Sequence, residues 1–274
     1  MGFRRLLLFV GVGLVAVGCS GGSGDDGAGG KAATAVQHPE AVEVRSTDEL
    51  YAVPDPLDIA RAARQLPGVA IGPRTAIAGY SQGGHAALWA DELATDWTPD
   101  LDIVGTMAGA PASEVPDVVG NLPAELRDQG EALIAAGFGA AYPDVDLDQV
   151  LTPAGRKWAE AGNAGCAPAR ESPPGPLTKR RLADTDPWPQ LLDDNRAGTK
   201  AARTPLLIIH SAEDRNVPIA SSATLLDRLC QTGQVVERRV LPTGDHVAAA
   251  VPAYDQAFDW FTQLAAGERP KSSC

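Results

Sequence analysis

Along this chain, short continuous apolar runs alternate with stretches where apolar residues recur every third or fourth position. Residues 57–66 (LDIARAARQL) place Leu57, Ala60 and Ala63 on one stripe, which predicts a helix ended by Pro67-Gly68. Residues 75–80 predict a short buried strand, and 83–95, rich in Ala and Leu, a helix. A second strand is expected over 101–107, closed by Gly109 and Pro111, and a third over 206–210 (LLIIH). The branched residues of that third run suit a strand covered on both faces. A fourth strand follows over 235–241, then a closing helix over 254–264 with Trp260 and Phe261. Strands alternating with amphipathic helices predict an α/β fold around a mostly parallel sheet.

The rhythm breaks in two places. Between the second and third strands, residues of about 112–203 carry Ala/Gly-rich helical pattern at 132–141, more at 152–162, and a proline-dense tract at 168–176. No linker bounds this stretch, so it reads as a helical cap inserted over the C-terminal edge of the sheet. At the other end, Arg4-Arg5 precede a dozen apolar residues and Gly18-Cys19. Residues 1–19 read as a secretory signal, short for a spanning helix, with an uncleaved membrane anchor as the alternative. Ala16-Val17-Gly18-Cys19 resembles a bacterial lipobox, which implies lipidation of Cys19. Residues 20–39, opening SGGSGDDGAGG, form a flexible tether too polar to pack, and the folded domain spans 40–274. The expected address is the outer face of the cell membrane, with the chain held there by its lipid.

Composition narrows the partners. The 274 residues hold 35 Asp and Glu against 23 Lys and Arg, a net charge of −12. Phosphate neutralisation needs clustered cations, so nucleic acid is excluded as a partner. At 44% hydrophobic and 21% charged the chain is globular, and the reading expects a monomer. Setting Cys19 aside, Cys166, Cys230 and Cys274 leave one bridge and one free thiol in an oxidising compartment.

Gly79-Tyr80-Ser81-Gln82-Gly83 is G-x-S-x-G between a predicted strand and a predicted helix. That context holds a serine on a tight turn with its oxygen exposed, and the N–H of Gln82 then faces an oxyanion. A serine hydroxyl needs a base. His38 falls in the tether, His85 rides the helix behind Ser81 as a packed or capping residue, and His210 ends a buried strand as a hydrogen-bonded core residue. His246, in Pro242-Thr243-Gly244-Asp245-His246 after the last strand, stands where the fold presents its base. A carboxylate must orient that imidazole. Asp214 follows the LLIIH strand, while Glu213 sits one residue early and Asp245 points away from its neighbour. The order Ser81, Asp214, His246 is the order of α/β-hydrolases.

The segments GYSQGGHAALWADELA and LDIVGTMAGAP, with LTPAG, LLIIHSAEDRNVP, LC-x-x-G and RPKSSC downstream, resemble the secretory lipase family, the fungal lipase A-like group with its actinobacterial branch. The resemblance runs from about residue 57 to the end. It implies an α/β-hydrolase with a helical cap that cleaves carboxylic esters of acylglycerols, in lipid catabolism, with Ser81, Asp214 and His246 as triad and neither metal nor cofactor. It also implies a Cys230–Cys274 bridge, with Cys166 as a cap cysteine whose upstream partner is missing. Relatives carry several strand–helix units before the elbow, whereas here about forty residues separate tether from Ser81. Those residues have room for one helix and a short strand near 42–45. Val53-Pro54-Asp55 resembles the family's oxyanion loop, which makes Asp55 the candidate second donor. A serine ester hydrolase acting on lipid or short-chain esters is therefore expected. The alternatives are a catalytically degenerate binding or envelope-structural lipoprotein, and a peptidase or acyltransferase using the same triad.

Overall fold

A computed structural model describes residues 6–13, 55–64, 71–164 and 175–274. Five parallel strands form one sheet in the order β1-β2-β3-β4-β5: β1 (Leu6–Gly13), β2 (Ile71–Tyr80), β3 (Asp102–Gly109), β4 (Leu206–Ser211) and β5 (Val236–Leu241). Helix α1 (Asp55–Ala63) precedes β2, α2 (Gln82–Trp97) joins β2 to β3, α7 (Ile219–Thr232) joins β4 to β5, and α8 (Ala250–Ala265) follows β5. Between β3 and β4 lie α3 (Val115–Asn121), α4 (Ala124–Ala141), α5 (Pro153–Ala164) and α6 (Trp188–Asp194). The chain therefore has the α/β-hydrolase architecture that its pattern predicts. Among the described residues no helix is long and apolar enough to cross a membrane.

Period-two alternation in the strands explains the two layers of helix. Ala76, Ala78, Tyr80, Met107, Leu207 and Ile209 face α8, where they meet Ala253, Ala257, Trp260 and Phe261. Their neighbours Ile77, Ala108, Leu206 and Ile208 face the other way, onto α1, α2 and α7 through Leu57, Ala87, Leu88, Leu225 and Leu229. Burial of side chains the size of Phe261 contributes about 2–3 kcal/mol each. The segment between β3 and β4 has an apolar core of its own, built on Val119, Ala132, Val150, Leu151, Leu177, Leu182 and Trp188. A buried carboxylate fastens it to the sheet layer. Glu114, 1% exposed, accepts from Arg196 and, at 2.6 Å, from Arg228 Nη2 on α7.

Residues 6–13, read as part of a leader, stand here as a strand whose Leu8–Gly13 pair with Thr75–Tyr80 of β2. An apolar run of that length satisfies the hydrophobic demands of a leader and of a buried strand alike, so the pattern alone does not choose between them. Cys19, the tether 20–39, His38, the strand near 42–45 and Cys166 lie outside the described residues. Helix α7 is an addition to the predicted elements. Its stripe of Leu225 and Leu229 is diluted by Ser221 and Ser222, which also face inward, and Gly233 at φ 80° closes it. The tail returns along β5, where Ser273 N–H donates to Val236 O at 2.7 Å, and Cys274 bridges to Cys230, the pairing the resemblance implies.

Candidate active site

In a parallel sheet the C-terminal strand ends share one edge, and the sequence there turns into loops that open helices. Tyr80 pairs with Gly109, Gly109 with Ile209, and Ser211 with Leu241, so the residues after β2, β3, β4 and β5 emerge side by side. Ser81 is the pivot between β2 and α2, at φ 60° and ψ −121°. L-residues rarely adopt that conformation, and strain of this kind costs on the order of 1–3 kcal/mol. The surroundings impose it. Ser81 N–H donates to Gly109 O at 2.8 Å, and Ser81 O accepts from His85 N–H at 3.1 Å. The turn closes only on glycine: a Cβ on Gly79 would sit 1.9 Å from Gly83 O, and one on Gly84 2.7 Å from Gly109 O. Gly79 thus lets the strand pass the helix start, and Gly84 lets α2 lie against β3.

His246 reaches the serine from the loop after β5. Its Nε2 lies 2.8 Å from Ser81 Oγ and its Nδ1 2.7 Å from Asp214 Oδ2. Three residues separated by up to 165 positions thereby form a single hydrogen-bonded chain. With the carboxylate able only to accept, Nδ1 carries the hydrogen, and Nε2 is left as acceptor for the serine hydroxyl. The loop carrying His246 is pinned twice to the loop carrying Asp214. Ser211 Oγ donates to Gly244 O at 2.5 Å, and Glu213 Oε2 accepts from Gly244 N–H at 2.9 Å. Gly244 stands at φ 107°, a left-handed conformation that suits glycine. Glu213 thus clamps the base loop and does not orient the base. Asp245 turns from the imidazole and caps Val247 and Ala248 N–H at 3.0 and 2.9 Å.

Asp214 is buried, yet its carboxyl is held well below the usual carboxylate range. Burial pushes it upward, but hydrogen bonds from His210, His246 and the Val217 N–H outweigh that, aided by electrostatic attraction to the His246 ring. Asn216 and Val217 N–H both donate to Oδ1 at 2.9 Å. Burial first, then the charges of Asp214 and Asp245, push the Tyr80 phenol above its ordinary value, so it stays neutral beside the His246 ring, 5.4 Å away between centroids.

The other predicted residues fall as follows. Gln82 is the first residue of α2, directly behind Ser81, with its backbone at the helix N-terminus. Asp55 is the first residue of α1, the helix that precedes β2. His85 is held away from the serine, its Nε2 2.8 Å from Asn195 O and 3.1 Å from Trp89 Nε1, and burial lowers its basicity. Sequence reasoning missed the support that Ser211 and Gly244 give the base loop, and missed His210 as a neighbour of Asp214. The spacing His210-x-x-x-Asp214 was the available signal.

Comparison with known proteins points to hydrolase families and to the same fold. Residues 41–169 match the family model described as secretory lipase, and residues 187–268 match the one described as prolyl oligopeptidase family. "Probable inactive lipase MT1628" of Mycobacterium tuberculosis is 24% identical over 237 residues, 77% of this chain and 50% of its own length. Lipase A of Moesziomyces aphidis is 24% identical over 80% of this chain and 51% of its own. Trichothecene C-3 esterase of Fusarium sporotrichioides is 25% identical over 70% of this chain and 47% of its own. The chain spans about half the length of these curated relatives. In fold it is similar to Candida antarctica lipase A in its closed state, with a TM-score of 0.63 at 23% identity, covering 80% of this chain and 55% of that one. The rice cell wall degrading esterase LipA from Xanthomonas oryzae gives a TM-score of 0.57 at 18% identity over 77% and 63% of the two chains.

Proposed function

We propose, for a chain that matches the secretory lipases and carries the α/β-hydrolase fold, that it is a serine carboxylic-ester hydrolase working through Ser81, His246 and Asp214. One observation carries the reading: His246 hydrogen-bonds Ser81 Oγ with one ring nitrogen and a buried carboxylate with the other, at 2.8 and 2.7 Å. In this reading Ser81 Oγ attacks the ester carbonyl carbon as its proton passes to His246 Nε2. The tetrahedral oxyanion is held by the Gln82 N–H, with the Asp55 N–H as second donor. The imidazolium then protonates the departing alkoxide, leaving an acyl-serine and a free alcohol. Water attacks the acyl carbon while His246 takes its proton, and the acid leaves as Ser81 recovers its hydrogen. Asp214 stays ionised throughout and steadies the imidazolium.

We assign lipid or short-chain acyl esters as substrates, supported by the match to the secretory lipases, and the 112–203 segment as a cap over the sheet edge that carries Ser81. Secretion is part of this reading, supported by the match to the model described as secretory lipase, and lipid attachment at Cys19 is our reading of the N-terminal motif. Turnover of a p-nitrophenyl ester tests the assignment: Ser81→Ala should abolish it, and undiminished hydrolysis by that variant would reject the role of Ser81. A second reading has observations of its own. One relative is named as an inactive lipase, and the chain spans half of its relatives' length. A hydrolase fold retained for binding would fail to react with a fluorophosphonate at Ser81.

A further inference from the structure

His210 is fully buried at the end of β4, four residues before Asp214. Its Nε2 lies 3.1 Å from Val217 O and 3.3 Å from Asp214 Oδ2. A carbonyl oxygen and a carboxylate oxygen both accept only, so the hydrogen between them belongs to Nε2. Nδ1 is buried with no hydrogen-bond partner among the described residues, which suits a bare lone pair and not a second donor. The ring therefore carries a hydrogen on Nε2, shared between Val217 O and the carboxylate.

The placement matters because of what else that carboxylate does. Oδ1 is engaged by two backbone N–H groups, from Asn216 and Val217. Oδ2 faces two imidazoles, His246 Nδ1 at 2.7 Å and His210 Nε2 at 3.3 Å. Removing His210 frees one side of the oxygen on which the base depends. The Val217 carbonyl would lose a donor too, and that carbonyl belongs to the residue whose N–H holds Oδ1.

We infer that His210 is a positioning residue of this site: its Nε2–H fixes Asp214 Oδ2 so that the His246 Nδ1–H is aligned on it. The inference rests on the proposed triad and deepens it, since His210 touches neither substrate nor serine and acts only through Asp214. Positioning and mere packing separate experimentally.

The first measurement uses the unmodified protein. Long-range proton–nitrogen correlation of its histidine rings at pH 7 should show His210 protonated at Nε2 and bare at Nδ1. A proton on Nδ1 with a bare Nε2 would overturn the inference. The second compares His210→Phe, which keeps a ring and loses the donor, with His210→Gln, whose amide N–H reaches the place of Nε2. With active serines counted by fluorophosphonate titration, His210→Phe should lose tenfold or more in kcat at a KM within twofold of the parent. His210→Gln should stay within threefold in kcat. Undiminished kcat per active serine in His210→Phe would overturn the inference, as would an equal loss in both variants. Should the Phe variant fail to fold, His210→Asn, whose amide falls short of Oδ2, takes its place with the same expected loss. Absence of labelling at Ser81 in the unmodified protein would sink the hydrolase reading instead, and the tautomer measurement would still judge His210.

Discussion

Replacing Asp214 by Asn exchanges one carboxylate oxygen for an amide nitrogen and leaves the shape of the side chain intact. The Asn oxygen keeps the place of Oδ1 and its two backbone donors at 2.9 Å, so the loop 211–217 should hold. The amide NH2 then stands where Oδ2 accepted from His246 at 2.7 Å. Two donors cannot share that distance, so His246 moves its hydrogen to Nε2 and accepts at Nδ1. Nε2–H now faces Ser81 Oγ at 2.8 Å as a donor, and the serine has no base. Restoring the working tautomer means opposing two N–H groups in a buried site and giving up the stabilised imidazolium, together about 4–5 kcal/mol. At about 1.4 kcal/mol per decade that is a loss of roughly 10³- to 10⁴-fold, the scale seen for the same exchange in a serine protease. Fluorophosphonate labelling rate and p-nitrophenyl ester turnover at pH 7 both read it, with circular dichroism to confirm the fold. A folded Asp214→Asn protein that reacts within tenfold of the parent would refute the relay.

Three further outcomes follow from other parts of the molecule. Gly84→Ala places a Cβ 2.7 Å from Gly109 O, the same oxygen that holds Ser81 N–H, so α2 must back away from β3. It should lose about 1–3 kcal/mol in urea unfolding and at least tenfold in labelling rate; an unchanged midpoint and rate would contradict the close approach. Glu114→Gln removes the charge shared by Arg196 and Arg228 and should cost about 3 kcal/mol, read as a lowered urea midpoint, whereas no change would show the pair to be idle. Asp91, buried on α2, has its carboxyl pushed up to about 7, by burial and against the Thr204 hydroxyl that hydrogen-bonds it. A raised carboxyl gives stability that is complete below its ordinary value near 4 and is lost as pH climbs toward 7, on the order of 4 kcal/mol. Urea midpoints at pH 5 and pH 8 should therefore differ less in Asp91→Asn than in the parent, and an equal difference would place the pH sensitivity elsewhere.

Strands β2 to β5 and the elbow were legible in the sequence because both are local patterns. A run such as LLIIH reports a strand covered on two faces, and two glycines flanking a serine report a turn in which Gly79 meets Gly83 backbone. His246 and Asp214 were legible because the ends of β5 and β4 fix where a loop residue can stand. Other elements were hidden for physical reasons. Ser221 and Ser222 face inward on α7 and mask its apolar stripe. Helices α3 and α6 have seven residues each, with proline at the second position, too short to show a period. The core between β3 and β4 joins residues as distant as Val119 and Trp188, which no window along the chain relates. The apolar run at 6–13 fits a leader and a strand equally, since both demand only hydrophobic length. His210 reads as core from its strand, and only the fold brings its Nε2 to Asp214.

The account turns on whether His246 activates Ser81. Incubation of the full chain with a fluorophosphonate at pH 7, followed by mass-spectrometric mapping, measures this directly. One adduct per chain on Ser81, lost in His246→Ala with the fold intact, is the predicted result. A folded parent protein that stays unlabelled, or labels equally well without the imidazole, would contradict it.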